Sequence, residues 1–402
     1  MNLNIKLFIL FIIFSFQVFA DSKSSILKKA ILDNGFIKDP KELVISDDKH
    51  LSEVGAKFFE SNHLSLNGNI SCKTCHNPKT ASIDKIPNAS GVLGHGEGYE
   101  RLKSGGKVVP RNTLALFGVG GKGFKTFFWD GRIDYADVNN VISQFGKQIP
   151  SNDPLITAVH LPVVEIRETL LEDDLVLENK NESVKGAQII YQAITDNLQL
   201  NEKEAISELA KLLLKNKEEI KFIDIARSIA AFIRSEFSIK ETKLHKFSQD
   251  KTRLNNDEIR GGLIFYGKGN CVSCHSGPYF TNHKFYTVPF PQLGFGKNGF
   301  GVDYGRYNIT FSPDDLYKFR TPSLFNVSKT SPYGHSGSVH SLKEAIIAHF
   351  DPLKVIDANK MNDLQRFEFY KYLQRTDQVK SINYLDRDEI DDLVLFLSTL
   401  NF

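Results

Sequence analysis

The chain has only four cysteines in 402 residues, and all of them fall in two short stretches, Cys72-Lys-Thr-Cys75 and Cys271-Val-Ser-Cys274. None is left over to join distant segments, so a disulfide scaffold is excluded. Tryptophan occurs once, at Trp129, and methionine twice, at Met1 and Met361. Any role that needs an indole or a thioether therefore has almost no choice of residue. Charge of one sign is also lacking: 50 basic residues face 48 acidic ones. That balance gives no support for nucleic-acid binding. Beyond Ala20 no apolar run is long enough to span a bilayer.

The N-terminus carries what the rest lacks. Lys6 precedes an apolar run from Leu7 to Phe19, which ends in Ala20 before Asp21. A basic start, a short apolar core and a small residue at its end predict a cleaved secretory signal peptide over residues 1–20. The run is short for a membrane anchor. About 380 residues remain, enough for two domains.

Each cysteine pair is followed at once by a histidine, His76 or His275. C-x-x-C-H is the attachment signal for a c-type haem. Both thiols add to the porphyrin vinyl groups, and the adjacent histidine reaches the iron as proximal ligand. A zinc site or a redox dithiol does not need a histidine at that place. The sequence thus predicts two covalently bound haem c groups, on Cys72, Cys75 and His76 and on Cys271, Cys274 and His275. Such haems are assembled outside the cytoplasm, so the expected location is the periplasm.

The motifs lie about 200 residues apart, which suits one haem per domain. The expected fold is mainly α, with two cytochrome-c-like domains and long loops around the haems. The N-terminal domain is placed at 21–250, with a helical insertion around 171–221, and the C-terminal domain at 251–402. Each motif has a comparable lead-in, Glu53-Val-Gly-Ala-Lys-Phe-Phe59 and Ile259-Arg-Gly-Gly-Leu-Ile-Phe265. Phe222, Ile225, Ala226, Ile229, Phe232 and Ile233 recur at helical spacing, as do Ile390, Leu393, Val394 and Leu397. The glycine-rich stretches 91–106 and 118–123 read as long loops, unusual in a compact domain but suited to wrapping a large flat ligand.

A proximal histidine leaves one axial position to be filled, and its occupant decides between electron transfer and chemistry on peroxide. The candidates are the other histidines, the tyrosines and Met361. His95 lies between glycines in Gly94-His95-Gly96, which suits a loop that changes conformation cheaply; its plain alternative is a surface histidine. Ser341-Leu-Lys-Glu344 reads as a capping box that starts a helix. Leu342, Ala345, Ile346 and His349 then share one face. A histidine on an apolar face is more often a packed core residue than a ligand.

Taken together, the sequence resembles the bacterial di-haem cytochrome c peroxidases, a family that includes MauG. The resemblance rests on both haem motifs in order and on Leu64-Ser-Leu-Asn-Gly-Asn-Ile-Ser-Cys72, Gly94-His95-Gly96, Pro110-Arg-Asn-Thr113 and Phe128-Trp-Asp-Gly-Arg132. It extends to Thr321-Pro-Ser-Leu-Phe-Asn-Val327 and Thr330-Ser-Pro-Tyr-Gly-His-Ser-Gly337. It implies that His95 caps the N-terminal haem in the resting state and then swings away. It aligns His349 with the distal ligand of the C-terminal haem, where typical peroxidases carry methionine and MauG tyrosine. A histidine there departs from both and implies a bis-histidine haem of lower potential. Met361, outside the aligned position, is the competing ligand.

The resemblance also makes Trp129 the electron relay between the haems, against the plain reading of a packed aromatic. It assigns the acid–base role in peroxide cleavage to a glutamate. Glu168 matches best, with Glu165 and Asp153 behind it and a solvated surface glutamate as the bland reading. Gln144 lines the same pocket by resemblance. Asn112 with the backbone oxygens of Thr330 and Pro332 matches an interdomain calcium site. His335 is expected to be structural, near the C-terminal haem.

The reading is a periplasmic di-haem cytochrome c peroxidase, with hydrogen peroxide as substrate and a small cytochrome c or cupredoxin as electron donor. A homodimer is compatible with it. Two alternatives stand beside it: a MauG-like oxidase acting on a partner protein, and a non-catalytic di-haem electron-transfer protein.

Overall fold

The structure, a computed structural model, describes residues 22–146, 148–171, 184–213, 219–376 and 383–402. The signal-peptide expectation for 1–20 lies outside the described residues. The chain is helix-rich. In order come α1 (22–33), α2 (Lys49–Glu60), α3 (Pro154–Val159), α4 (Val184–Asn201), α5 (Lys203–Leu213) and α6 (Phe222–Glu236). Then follow α7 (Asn256–Tyr266), α8 (Leu342–Ala348), α9 (Asp363–Leu373) and α10 (Arg387–Ser398). Short strands β1 (Thr126–Phe127), β2 (Ile133–Asp134) and β3 (Ile142–Ser143) form an antiparallel meander in the long segment between α2 and α3.

Two crossed helix pairs form the frame, and glycine sets the closeness of each. In α2 a Cβ on Gly55 would lie 1.9 Å from the Ser228 carbonyl oxygen of α6. In α7 a Cβ on Gly261 would lie 2.0 Å from the Asp392 carbonyl oxygen of α10. Both glycines belong to the lead-ins that precede the haem motifs. Without side chains at the crossing, the backbones come into contact and the flanking large residues interlock around them. Phe58, Phe59, Ile225 and Ile229 are buried around the first crossing, and Phe265, Leu393 and Phe396 around the second. Burying each such side chain contributes about 1.5–3 kcal/mol.

The ends of these helices are fixed by their own sequences. Asp48 caps α2 by accepting from the Leu51 N–H. Reciprocal capping boxes start α7 (Asn255 and Glu258) and α10 (Asp386 and Glu389). Each satisfies backbone donors that a helix start otherwise leaves open. Helices α4 and α5 occupy the region read as a helical insertion and dock on the first pair. Lys57 donates to Glu208 at 2.8 Å, and Ser61 to Glu202 at 2.6 Å.

Packing does not follow a linear division at residue 250. Leu27 and Ile31 of α1 are fully buried. Leu27 lies against Gly262, whose Cβ would sit 2.7 Å from its methyl carbons. The Gly277 N–H also donates to the Asn34 carbonyl at 2.9 Å. The first described helix thus packs on the C-terminal pair. A Leu–Ile stripe at i, i+4 says that a helix has a buried face, but not which core receives it.

Both glycine crossings give a direct expectation. Gly55→Val and Gly261→Val each force side-chain carbons into a partner backbone that cannot swing aside. Overpacking of this kind costs on the order of 1–3 kcal/mol or more. Thermal unfolding of each variant should show a clearly lowered midpoint; an unchanged midpoint would mean that the crossings are looser than described.

Candidate haem sites and the path between them

Both C-x-x-C-H motifs fold as a single helical turn. The His76 N–H donates to the Cys72 carbonyl at 2.8 Å, and the His275 N–H to the Cys271 carbonyl at 2.9 Å. The turn sets the histidine beside the second thiol of each motif. The rings are then oriented in the same way. His76 Nδ1 lies 3.1 Å from the Ser82 carbonyl oxygen, and His275 Nδ1 lies 3.1 Å from that of Phe280. A carbonyl can only accept, so Nδ1 carries the proton and Nε2 keeps its lone pair. That is the tautomer an iron ligand needs, held by a second-shell carbonyl. Burial lowers the pKa of both rings to about 4. They are therefore neutral across the physiological range.

The His275 side opens into a cavity whose walls are mostly apolar. Cys271, Cys274 and His275 form one side, and Leu342, Ala345, Ile346 and His349 also line it. Those four residues are the expected face of α8, whose capping box at Ser341 and Glu344 is present. His349 Nδ1 donates to the Ala345 carbonyl at 2.7 Å, which again leaves Nε2 free. After burial, His349 is the next influence depressing the pKa of His275, so the two rings face one space. Met361 lines a neighbouring cavity instead, together with Tyr317 and Tyr372. An apolar cavity with two thiols on one wall and two free imidazole nitrogens fits a bis-histidine haem c.

The ligand expected at the N-terminal haem is placed differently. His95 is exposed. Its peptide group is clamped by Ser104, whose Oγ accepts from the His95 N–H at 2.8 Å and lies 3.0 Å from the His95 carbonyl oxygen. The loop springs from a short rail: Lys107 N–H donates to Val92 O at 2.9 Å, and Val92 N–H to Arg167 O at 3.2 Å. Gly91 is required there, since its Cβ would lie 1.7 Å from the Arg167 carbonyl oxygen. The Gly-His-Gly loop is thus tied to the turn that carries Glu168.

The three carboxylate candidates separate by environment. Burial, and then the Glu165 carboxylate beside it, push Glu168 up to about 7, against the pull of Arg132 and Lys297. Its charge acts on both Cys72 and Cys75, which sets it beside the N-terminal motif. Burial works to raise Glu165, but Arg132 and Lys297 overcome it and hold the group at about 2. Asp153 caps α3 and pairs with Arg234. Gln144 sits half-buried in the turn after β3.

A further carboxylate, Asp84, was not singled out from sequence. Burial raises it to about 6, and its charge reaches Cys75. Its Oδ2 is buried and has no hydrogen-bond partner. Nothing in the local sequence marks it.

Trp129 lies beside the His275 site. It lines the His275 cavity and also a smaller one bordered by Ile83 and Asn112. Ile83 follows Ser82, whose carbonyl holds His76. The indole Nε1–H donates to the Asn112 carbonyl at 2.9 Å. Around the tryptophan runs a buried ion network. Arg111 forks onto both oxygens of Asp303 at 2.8 and 2.9 Å and also pairs with Asp130. Arg132 pairs with Asp130 at 3.0 Å and with Glu165, which Lys297 reaches at 2.8 Å. Arg111, Asp130 and Arg132 stand in the motifs that carry the resemblance, but their mutual pairing was not read from them.

The Asn112 side chain donates to the Pro332 carbonyl at 2.7 Å, across a cis Ser331–Pro332 bond, while its Oδ1 is buried without a partner. Thr330 borders the same space. The amide nitrogen faces the Pro332 and Gly334 carbonyls, and the amide oxygen is the one expected calcium ligand left without a partner. His335 is buried, stacked on Phe319 with ring centroids 3.9 Å apart.

Residues 49–253 match the di-haem cytochrome c peroxidase family. The chain is 24% identical over 317 residues to the cytochrome-c peroxidase IdrP1 of Pseudomonas sp. strain SCT, covering 73% of this chain and 70% of that protein. It is 26% identical over 304 residues to the methylamine utilization protein MauG of Methylorubrum extorquens, covering 74% of this chain and 67% of that one. The fold matches the crystal structure of a MauG-like protein associated with microbial copper homeostasis, with a TM-score of 0.60 and 23% identity over 88% of this chain and 90% of the other. Motif, fold and family agree: this chain is an oxidoreductase that belongs to the di-haem cytochrome c peroxidase family.

Proposed function

We propose that this chain is a periplasmic peroxidase that reduces hydrogen peroxide to water at its N-terminal haem c, with electrons entering at its C-terminal haem c. The observation that carries the reading is the asymmetry of the two distal histidines. His349 closes a capped helix inside an apolar cavity, whereas His95 stands exposed on a glycine-flanked loop. Two covalently attached haem c groups supply the redox chemistry. Cys72 and Cys75 hold one beside His76, and Cys271 and Cys274 hold the other beside His275.

Chemistry on peroxide needs an open axial position. His95 would supply it by standing away from the haem that His76 would hold, and the Ser104 hydrogen bonds hold its peptide in such an exposed position. His349 stays, because its Nδ1 bond to Ala345 and its place on the cavity wall both resist displacement. Glu168 is the acid–base group. As carboxylate it takes the proton of the incoming peroxide, and as acid it returns that proton to the departing oxygen. Glu165 cannot exchange a proton near neutrality, because its pKa lies at about 2. Trp129 bridges the sites for electrons. Asn112, with the Thr330 and Pro332 oxygens, holds calcium between the halves. The donor is a small cytochrome c or cupredoxin.

The MauG-like alternative keeps one observation in its favour. His349, like the tyrosine of MauG, replaces the usual methionine, and a second strong ligand makes the C-terminal iron harder to reduce.

Two outcomes follow. His349→Met should raise the potential of the C-terminal haem, since thioether ligation favours the ferrous state. A potentiometric titration that returns the wild-type value would make His349 a core residue only. The second outcome concerns pH. Glu168 must be ionised to accept a proton, and its pKa is raised to about 7. The rate of reaction with peroxide should therefore climb as pH rises through about 7 and level off above it. In Glu168→Gln that rise should vanish, and O–O cleavage should slow by about 10²–10⁴-fold. Stopped-flow mixing of a His95→Gly background with peroxide isolates this step. An unaltered profile in the glutamine variant would remove Glu168 from the chemistry.

A further inference from the structure

Tyrosine is the aromatic residue that the reading above leaves unused, and several tyrosines are in mutual contact. His335 and Tyr372 both line the His275 cavity. From there the rings continue outward. His335 and Tyr372 have centroids 6.2 Å apart, Tyr372 stacks on Tyr317 at 5.2 Å, and Tyr317 meets Tyr304 at 5.8 Å. Tyr304 meets Tyr307 at 6.1 Å, and Tyr307 is only partly buried. The series runs from the haem wall to the surface. Tyr317 and Tyr372, in its middle, are buried.

A tyrosine inside a protein gives up an electron easily only if its phenolic proton has somewhere to go. Tyr317 has such a place: its hydroxyl donates to Glu368 Oε2 at 2.5 Å. The other Glu368 oxygen is held by Lys371 at 2.9 Å, which fixes the carboxylate against the phenol. Tyr317, Tyr372 and Glu368 also border a cavity beside the haem wall. The hydroxyl of Tyr372 and Nε2 of His335, both in that cavity's wall, have no protein partner. A packed apolar core explains the stacking. It does not explain a buried carboxylate placed on a phenol.

We propose that Tyr317 is a redox-active residue in a tyrosine relay between the C-terminal haem site and the surface at Tyr307, with Glu368 as the acceptor of its proton. The inference rests on the peroxide reading for its oxidant: hydrogen peroxide takes up an electron pair and a proton pair to give water. Each electron drawn outward-to-inward leaves Tyr317 through Tyr372 and His335 toward the haem wall. The O–H proton passes to Glu368, so a neutral tyrosyl radical faces a protonated carboxyl. Tyr304 then gives an electron to the radical and Glu368 returns the proton to Tyr317; Tyr304, and after it Tyr307, both partly exposed, release the phenolic proton to solvent while oxidised and regain it on refilling. A one-electron reductant at the surface, of phenolic or indolic type, completes the cycle there. Trp129 packs against the same cluster of Tyr317, Phe319 and Tyr372.

The test is flash-quench photo-oxidation of the full chain carrying both haems in the ferrous state, with tris(bipyridine)ruthenium(III) as the oxidant and no peroxide. Wild type is expected to show a transient tyrosyl absorbance that decays as the C-terminal haem turns ferric. Tyr317→Phe and Glu368→Gln should each slow that haem oxidation by about a hundredfold, as loss of a positioned proton partner does. Their haem spectra at rest should stay as in wild type. A purely structural role for Tyr317 would leave the rate unchanged in Glu368→Gln. Haem oxidation at the wild-type rate in both variants overturns the relay, whatever peroxide does. If peroxide proves inert while the flash-induced differences hold, the relay stands and the peroxidase reading falls.

Discussion

The buried pairing of Arg111 with Asp303 and Asp130 is the interaction on which both sites depend. Arg111 and Asp130 stand in the segments before and after Phe124, while Asp303 belongs to the C-terminal half. Three charges are taken out of water here, and only their mutual pairing offsets the cost. Removing one partner from such a group costs about 3–5 kcal/mol, because the others are left buried and unpaired. Burial opposes ionisation of Asp130, yet Arg111 and Arg132 keep its pKa well below the usual carboxylate range. The network therefore stays charged and fixes its own geometry. It flanks the Trp129 indole, which donates to the Asn112 carbonyl, and through Arg132 it ties down Glu165. That tie is what allows Glu168, close by, to be the one carboxyl of the turn with a pKa near neutrality.

The two haem sites repeat one plan and depart from it at one point. The helical turn of C-x-x-C-H, the carbonyl on Nδ1 and the glycine crossing behind the motif recur in both halves. The distal side does not recur. His349 inherits its position from a capped helix, so its approach to the His275 cavity is set by periodicity and by the Ala345 carbonyl. His95 inherits its position from a loop held by one serine. A rigid ligand suits an iron that only passes electrons, and a releasable one suits an iron that must admit a substrate.

What the sequence made legible was local. The capping box at Ser341 and Glu344 and the face Leu342, Ala345, Ile346 and His349 depend on spacings of a few residues, and the structure has them as read. The position of α1 was not legible, because Leu27 and Ile31 define a face without naming its partner. Asp84 was missed for the same reason: burial and nearness to Cys75 arise only once the loop folds. Arg111, Asp130 and Arg132 were visible as parts of motifs, but the pairing of Arg111 with Asp303 joins residues 192 positions apart. Glu168 could be proposed from the sequence, yet its separation from Glu165 rests on Lys297, far away in sequence. The tyrosine series left no trace, since Tyr304, Tyr317 and Tyr372 share no periodicity.

The central claim is that one iron can open while the other stays closed. Electron paramagnetic resonance of the protein, fully oxidised and then half-reduced, reports this directly. The account predicts two six-coordinate low-spin ferric haems when oxidised. On half-reduction it predicts loss of the His275 signal and conversion of the His76 signal to a five-coordinate high-spin form. A low-spin signal that persists at the His76 haem in the half-reduced state would contradict it and leave a di-haem electron carrier in its place.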